Sequence, residues 1–487
     1  MNFGLGRKCG PFLAVAILWG DTPALDGFVR APYLTPADAA ETEITTLLSA
    51  GDGVDGYRLG GTPDGLAARR ELDGTLSLWV AHAFATQTGI PRAHGARGAY
   101  LSHWTLETDA ATGALTARRG ADFPHHRWEA GREGWQRVET PRPFARLNGL
   151  DLPPAETFWD REAQVGTQVG LLLGGEEDTD GGAAFAHVLD GPDAGSSWEL
   201  PVFGALRYEN LLAQPSSGTK TYVIGISDRA EGFLVLYVGE KRAEGNSIER
   251  AGLADGQLFV LATSSDDETA FRWVPLPDWN AIPTPMQDMA VAEAGPRWFA
   301  RPKDGQWHPT QPGTFYFTSQ GNGRGDARVP SRLYRLTLDD PANPLAGGQV
   351  AVALEEGSAP FVMLDSMTID QTGDVWLQEN PGKGLRLAHV YRFTPENAAL
   401  EEVAAATEHH FHPDGASYIT AIEEATGIID LSPWLGAGHL LTAFHSHRGV
   451  DDPTRLADAE ARELFGWSLE DGRALVEDGQ LLLISPQ

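Results

Sequence analysis

Acidic and amide side chains interrupt apolar, strand-like runs at several points of this 487-residue chain. The stretch LLLGGEEDTDGG sets Glu176, Glu177, Asp178 and Asp180 directly behind an apolar run. GALRYENLLAQP carries Glu209 and Asn210 inside one, and MLDSMTID carries Asp365. An unpaired carboxylate is costly to bury, so an acid within a strand pattern either faces water or is held by partners. Taken singly, each of these acids fits a solvated strand edge. Brought to one axis, they would form the oxygen donor set that hard cations such as Ca²⁺ take. FARPKDGQWHP adds Arg301, Lys303 and Asp304 between Ala300 and Gly305. A planar guanidinium matches phosphate oxygens with two parallel donors, which makes Arg301 the candidate for holding an oxyanion.

Other chemistries find less support. The histidine groups at 125–126, 409–412 and 445–447 do not follow the H-E-x-x-H spacing of a helical zinc site, and are read as surface or loop residues. Cys9 is the only cysteine, so an internal disulfide and a cysteine-based zinc site are both excluded. Motifs of serine hydrolases and P-loop nucleotide-triphosphatases are absent.

The elements that must position these residues are short and extended. GTLSLWVAHAF, TYVIGISD, FLVLYVGE, GQLFVLAT, GTFYFTSQG, SRLYRLTL, DVWLQEN and HVYRFTP are β-type runs bounded by Gly, Asp, Asn or Pro. Helical spacing is scarce; 452–468 is the best example, and PADAAETEITTLLSAG is read as holding a short helical turn. In LDSMTIDQTGDVWLQEN two strands flank a turn at 371–374, and HVYRFTPENAALEEVA follows at once. Consecutive antiparallel strands with local connections point to an all-β fold, a β-propeller, whose inner-strand ends face a central channel.

With 37 Lys and Arg against 67 Asp and Glu, the net charge is -30. Such a surface repels nucleic acid and anionic membranes, which excludes both as partners. Arg7 and Lys8 precede the apolar PFLAVAILWG, so residues 1–30 are read as an N-terminal segment, either the remnant of an export signal or a buried first strand. Residues 31–487 are expected to form a single propeller domain, and no later run reaches the apolar length of a membrane span.

Several stretches together resemble the PhoX-like alkaline phosphatases and their phytase- and esterase-like relatives. They include GTPDGLAA, PRAHGARGAYLSHW, FARLNGLDLPP, LLLGGEEDTDGGAAFAHV, WELPVFGALRYENLLAQP, FARPKDGQWHP and MLDSMTIDQTGDVWLQEN, in the family's order. The resemblance implies an exported six-bladed β-propeller, periplasmic or extracellular and monomeric, with a calcium–iron cluster that hydrolyses phosphate esters. It assigns Glu176, Glu209 and Asp365 to the metals and Arg301 to the phosphate. Three departures bear on that assignment: Asn148 replaces the family cysteine, Lys303 replaces an acid, and AHA at 81–83 stands where relatives show N-H-E. A protonated lysine adds a cation and cannot ligate a metal, although it can attract a phosphate. The expectation is therefore a metal-dependent phosphoric-ester hydrolase with an altered site, using Arg301, Lys303 and Asn148, with calcium retained and iron disfavoured. The alternative is a non-catalytic propeller that binds calcium or a small anionic ligand; a lactonase or esterase on the same scaffold is a lesser one.

Overall fold

The computed structural model describes residues 30–487 except 110–112, 132–133, 179–180, 216–217, 265–266, 280–281, 323–327, 385 and 448–468. Asp180, Cys9 and the helix expected at 452–468 lie outside the described residues.

Largely antiparallel units follow one another along the chain, each with a short strand nearest the axis. These inner strands are Pro63–Arg70, Leu147–Asp151, Tyr208–Ala213, Pro302–Trp307, Leu364–Ile369 and Glu423–Asp430. Each inner strand packs against the next, and the last, Glu423–Asp430, packs against the first. The ring is therefore closed, with no inner edge left for strand addition. The outer strands of each unit pair outward from it; in the first unit Leu76–His82, Tyr100–Thr108 and Leu115–Phe123 follow in order. The third and fourth units join through Ala270 opposite Gln349 and Phe271 opposite Gly348, giving one nine-stranded sheet. The molecule is a β-propeller.

Residues 34–49 complete two units made otherwise from C-terminal residues. Leu34–Pro36 pairs with the strand at 399–406, and Thr42–Ser49 pairs with Asp478–Pro486. Residues 42–49 thus form a strand where a helical turn is expected from sequence. Its β-branched threonines and isoleucine suit a pleated surface, and Ile44 packs opposite Ile484. Asp478, fully buried, receives both Arg30 and the Tyr33 hydroxyl, tying the two chain ends together.

The hydrophobic core lies between adjacent sheets, not along the axis. Leu212, Ile224, Leu234, Phe271, Phe317 and Tyr334 pack between the third and fourth units. Sheets covered on both faces explain the near-continuous apolar runs such as TYVIGIS, buried throughout.

Candidate functional site

Five of the six inner strands break register at the same depth. The shifts fall between Pro63 and Leu66, Leu147 and Leu150, Tyr208 and Asn210, Pro302 and Gly305, and Leu364 and Met367. A bulge re-aims the side chain it carries. Asp64, Asn148, Glu209, Lys303 and Asp365 follow the last paired residue before each bulge and line a cavity of about 510 Å³ at one mouth of the channel. Two residues earlier, Thr62, Arg146, Arg207, Arg301 and Met363 all have left-handed backbones, with φ between 40° and 58°. On the sixth strand Glu424 faces the same cavity, two residues ahead of its own bulge between Thr426 and Ile428.

A second ring comes from the residue just beyond each neighbouring strand. The amides of Ala83, Glu177, Asp228, Gln320, Asn380 and His447 donate to the carbonyls of Thr62, Arg146, Arg207, Arg301, Met363 and Ile422, at 2.9–3.2 Å. Ala83, the last residue of AHA, thus stands on the cavity wall, whereas His82 points away and bonds Gly61 and Ser102. Close approach of the inner strands needs glycine behind the ring: a Cβ on Gly427, itself at φ 50°, would lie 2.0 Å from the Asp64 carbonyl oxygen.

Lys303 answers the question its position raises. Its side chain is buried, and Nζ lies 3.1 Å from Asp228, 3.2 Å from Glu209 and 3.4 Å from Asp365. Burial alone would discharge the amine, but these three carboxylates outweigh it and hold its pKa well above the ordinary lysine value. Burial raises Glu209 well above the carboxylate range and Asp365 to about 6, in both cases against the pull of Lys303. Asp228 is fully buried too, yet Lys303 and the bidentate Arg301 fork, at 2.6 and 3.0 Å, hold it well below the ordinary range. Arg301 also donates to Gln320, which donates in turn to Asp365.

Asn148 donates to Glu177 at 2.9 Å and to Glu209 at 3.4 Å, while Arg207 grips Glu177 at 2.5 Å. The residues expected from sequence therefore separate. Asn148, Glu209, Arg301, Lys303 and Asp365 come together. Glu176 does not: its carboxylate bonds Arg142 and the amides of Ala145 and Ala183 inside the second unit, and its neighbour Glu177 reaches the cavity instead. Strand alternation is the reason, because successive side chains point to opposite faces.

Sequence reasoning missed Asp64, Arg146, Arg207, Asp228 and Glu424, and read His445 and His447 as peripheral. His125 and His126 are exposed, but His445 and His447 face the cavity, and both are aimed at Glu424. The signal was present as a spaced motif: T-P-D-G, R-L-N-G, R-Y-E-N, R-P-K-D and M-L-D-S repeat once per unit at 62, 146, 207, 301 and 363. Its third position is the channel ring.

Among the described residues, two groups of side chains are close enough to share an ion, with donor atoms within 4.8 Å of one another: Glu177, Glu209 and Asp228, and Glu424, His445 and His447. The first does not suit the calcium–iron cluster that the resemblance implies. Arg207, Arg301 and Lys303 already neutralise its carboxylates, a protonated amine offers no lone pair, and Asn148 supplies no thiolate.

No protein-family profile matches this chain, and no curated protein matches it in sequence. Among solved structures, Pseudomonas fluorescens PhoX in complex with vanadate, a transition-state analogue, superposes with TM-score 0.62 at 12% identity, covering 96% of this chain and 98% of that one. The periplasmic gluconolactonase PpgL of Pseudomonas aeruginosa matches at TM-score 0.32 and 10% identity, over 75% and 96% of the two chains. A GH43 β-xylosidase/α-arabinofuranosidase from a compost microbial metagenome gives TM-score 0.28 at 12% identity, over 79% and 99%. The last two are too distant to inform the site. The first speaks to architecture alone: this chain is a β-propeller with a PhoX-like fold.

Proposed function

We propose that the cavity binds a small oxyanion-bearing molecule, a phosphate ester by preference, and that the protein is a phosphoric-ester hydrolase. The observation that carries this reading is the arginine at one repeated position just ahead of three successive inner strands: Arg146, Arg207 and Arg301 all line the cavity. Arg146 is 57% exposed and approaches Glu177 only to 4.0 Å, so its fork is available to a ligand. The Nε of Arg207 is buried without a protein partner, as are the Thr62 hydroxyl and the Asn148 carbonyl oxygen. Buried polar groups are normally satisfied, and orphans gathered in one cavity are satisfied by what enters it. Arg301 and Lys303, bound to carboxylates, would act from behind as fixed positive charge. Across the cavity Glu424, which its two imidazoles keep ionised against the effect of burial, would take a proton from an attacking water.

The test is calorimetry with inorganic phosphate alongside hydrolysis of p-nitrophenyl phosphate, for the parent and Arg146→Ala. Binding and turnover that both fall in the variant support the proposal. Phosphate binding without hydrolysis of any phosphate ester would establish the second reading, a non-catalytic ligand-binding propeller, which Lys303 in its carboxylate cage favours. Absence of both binding and turnover would sink the anion reading.

A further inference from the structure

The sixth unit carries a group of side chains that the anion-binding wall does not use. Glu424 and His445 stand directly opposite each other on the hairpin formed by Glu423–Asp430 and Leu440–Ser446. His447 follows His445 by two residues, and positions two apart on an extended chain share a face. Both imidazoles consequently turn toward one carboxylate: His445 Nδ1 and His447 Nε2 meet the same Glu424 oxygen, the latter at 3.1 Å. His447 is held in place by the hydrogen bond its backbone N–H donates to the Ile422 carbonyl. No lysine or arginine pairs with Glu424 among the described residues, in contrast to every acid around Lys303.

A second observation points to what this arrangement lacks. His445 is 2% exposed, and its other nitrogen, Nε2, has no hydrogen-bond partner. An oxygen of the Asp64 carboxylate lies 3.9 Å from it, and the Pro63 backbone also faces the ring. Asp64 is fixed on its other oxygen by the Thr426 hydroxyl. A histidine that coordinates through one ring nitrogen normally donates its remaining N–H to a carboxylate. A slight rotation of His445 would supply that bond.

We propose that Glu424, His445 and His447 bind a divalent transition-metal ion, zinc being the best match. His445 would ligate through Nδ1, His447 through Nε2, and Asp64 would orient His445 as a positioning residue. Two imidazoles and one carboxylate are a zinc donor set that leaves a coordination position open. The ligand atoms now lie within 4.8 Å of one another; zinc bonds of about 2.0–2.2 Å in a tetrahedron set ligand atoms roughly 3.4 Å apart, so the Glu424 oxygen must draw back a little from both imidazoles to admit the ion. Its open position would face the cavity that Arg146 and Arg207 also line. The inference concerns a cation at side chains other than the arginines that carry the anion reading and shares only Glu424 with that reading, so zinc titration tests it separately from phosphate binding.

The experiment is titration of chelator-treated full-length protein with Zn²⁺ by calorimetry, and with Co²⁺ by visible absorption. Zinc is expected at one equivalent, and Co²⁺ should give the intense visible bands of a low-coordinate site. His447→Ala, at a partly exposed residue, should weaken Zn²⁺ binding by about 100-fold or more, and Asp64→Asn by about 10–100-fold. Glu177→Gln and a combined His409→Ala/His410→Ala variant should bind as the parent does, and melting temperatures verify that each variant is folded. The proposal is overturned by a parent that binds no Zn²⁺. It is equally overturned by Zn²⁺ binding that survives His447→Ala, or that is lost in the Glu177 or His409/His410 variants.

Discussion

Replacing Lys303 with methionine keeps the length of the side chain and removes the one charge that three acids share. In the parent the ammonium lies 3.1–3.4 Å from oxygens of Asp228, Glu209 and Asp365, all of them buried. Breaking a buried ion pair by removing one partner costs about 3–5 kcal/mol. Unfolding entropy of about 2.1 cal/mol/K per residue amounts to roughly 1 kcal/mol per degree for a chain of this size unfolding as one unit. Lys303→Met should therefore melt about 3–5 °C below the parent at pH 8. The loss should depend on pH in a definite direction. Asp365 already titrates at about 6, raised by burial against the attraction of Lys303, and Glu209 is raised for the same reason. Without the ammonium both rise further. An acid raised on folding contributes stability that is complete below its unfolded value, near 4, and is lost as pH climbs through its folded value. The deficit should thus be smaller near pH 5, where Asp228, held below the ordinary range, is the ionised partner that remains, and larger at pH 8. Calcium should partly restore the variant, because the vacated centre is lined by carboxylates; at 100 times its dissociation constant a ligand contributes about 2.7 kcal/mol. Differential scanning fluorimetry from pH 5 to 8, with and without Ca²⁺, measures all of this. A variant as stable as the parent at pH 8, or a deficit that does not change with pH, would refute the view of Lys303 as the cation these three acids share.

Arg146→Ala should weaken phosphate binding by about tenfold, the effect of about 1.4 kcal/mol, and leave the melting temperature unchanged because the side chain is largely exposed. Unchanged affinity in calorimetry would remove Arg146 from the ligand. Gly427→Ala puts a Cβ 2.0 Å from the Asp64 carbonyl oxygen at a left-handed backbone position and should cost about 3 kcal/mol or more, read as reduced melting temperature and yield. A parent-like melt would show that the inner strands can separate there. Removing residues up to 49 deletes the strand that pairs with 478–486 and should abolish a single cooperative transition in calorimetry; an unchanged transition would mean that closure does not depend on it.

The β-propeller was legible in the sequence because each unit writes its strands as short apolar runs between turn residues, and the sheets are buried on both faces. Thr42–Ser49 was not, since a lone strand that pairs with the other end of the chain has no local turn to announce it. In the site, Glu209 and Asp365 could be picked out because a carboxylate within an apolar run needs a partner. The choice of Glu176 over Glu177 was beyond reach: adjacent acids differ only in the face they take, and the strand's register decides that. Asp228 gave no signal, since an acid closing a strand in TYVIGISD reads as an ordinary solvated turn.

By itself, then, the sequence determined the fold class, the acidic character and the presence of a lysine where a family acid is expected, because each is a property of local composition or of one position. Only the tertiary structure decided that Lys303 is enclosed by Asp228, Glu209 and Asp365, residues 62 to 94 positions away, and that Glu424 receives two histidines. Ring closure brings such positions together, and the electrostatic state of each group follows from burial and from neighbours that no linear stretch contains.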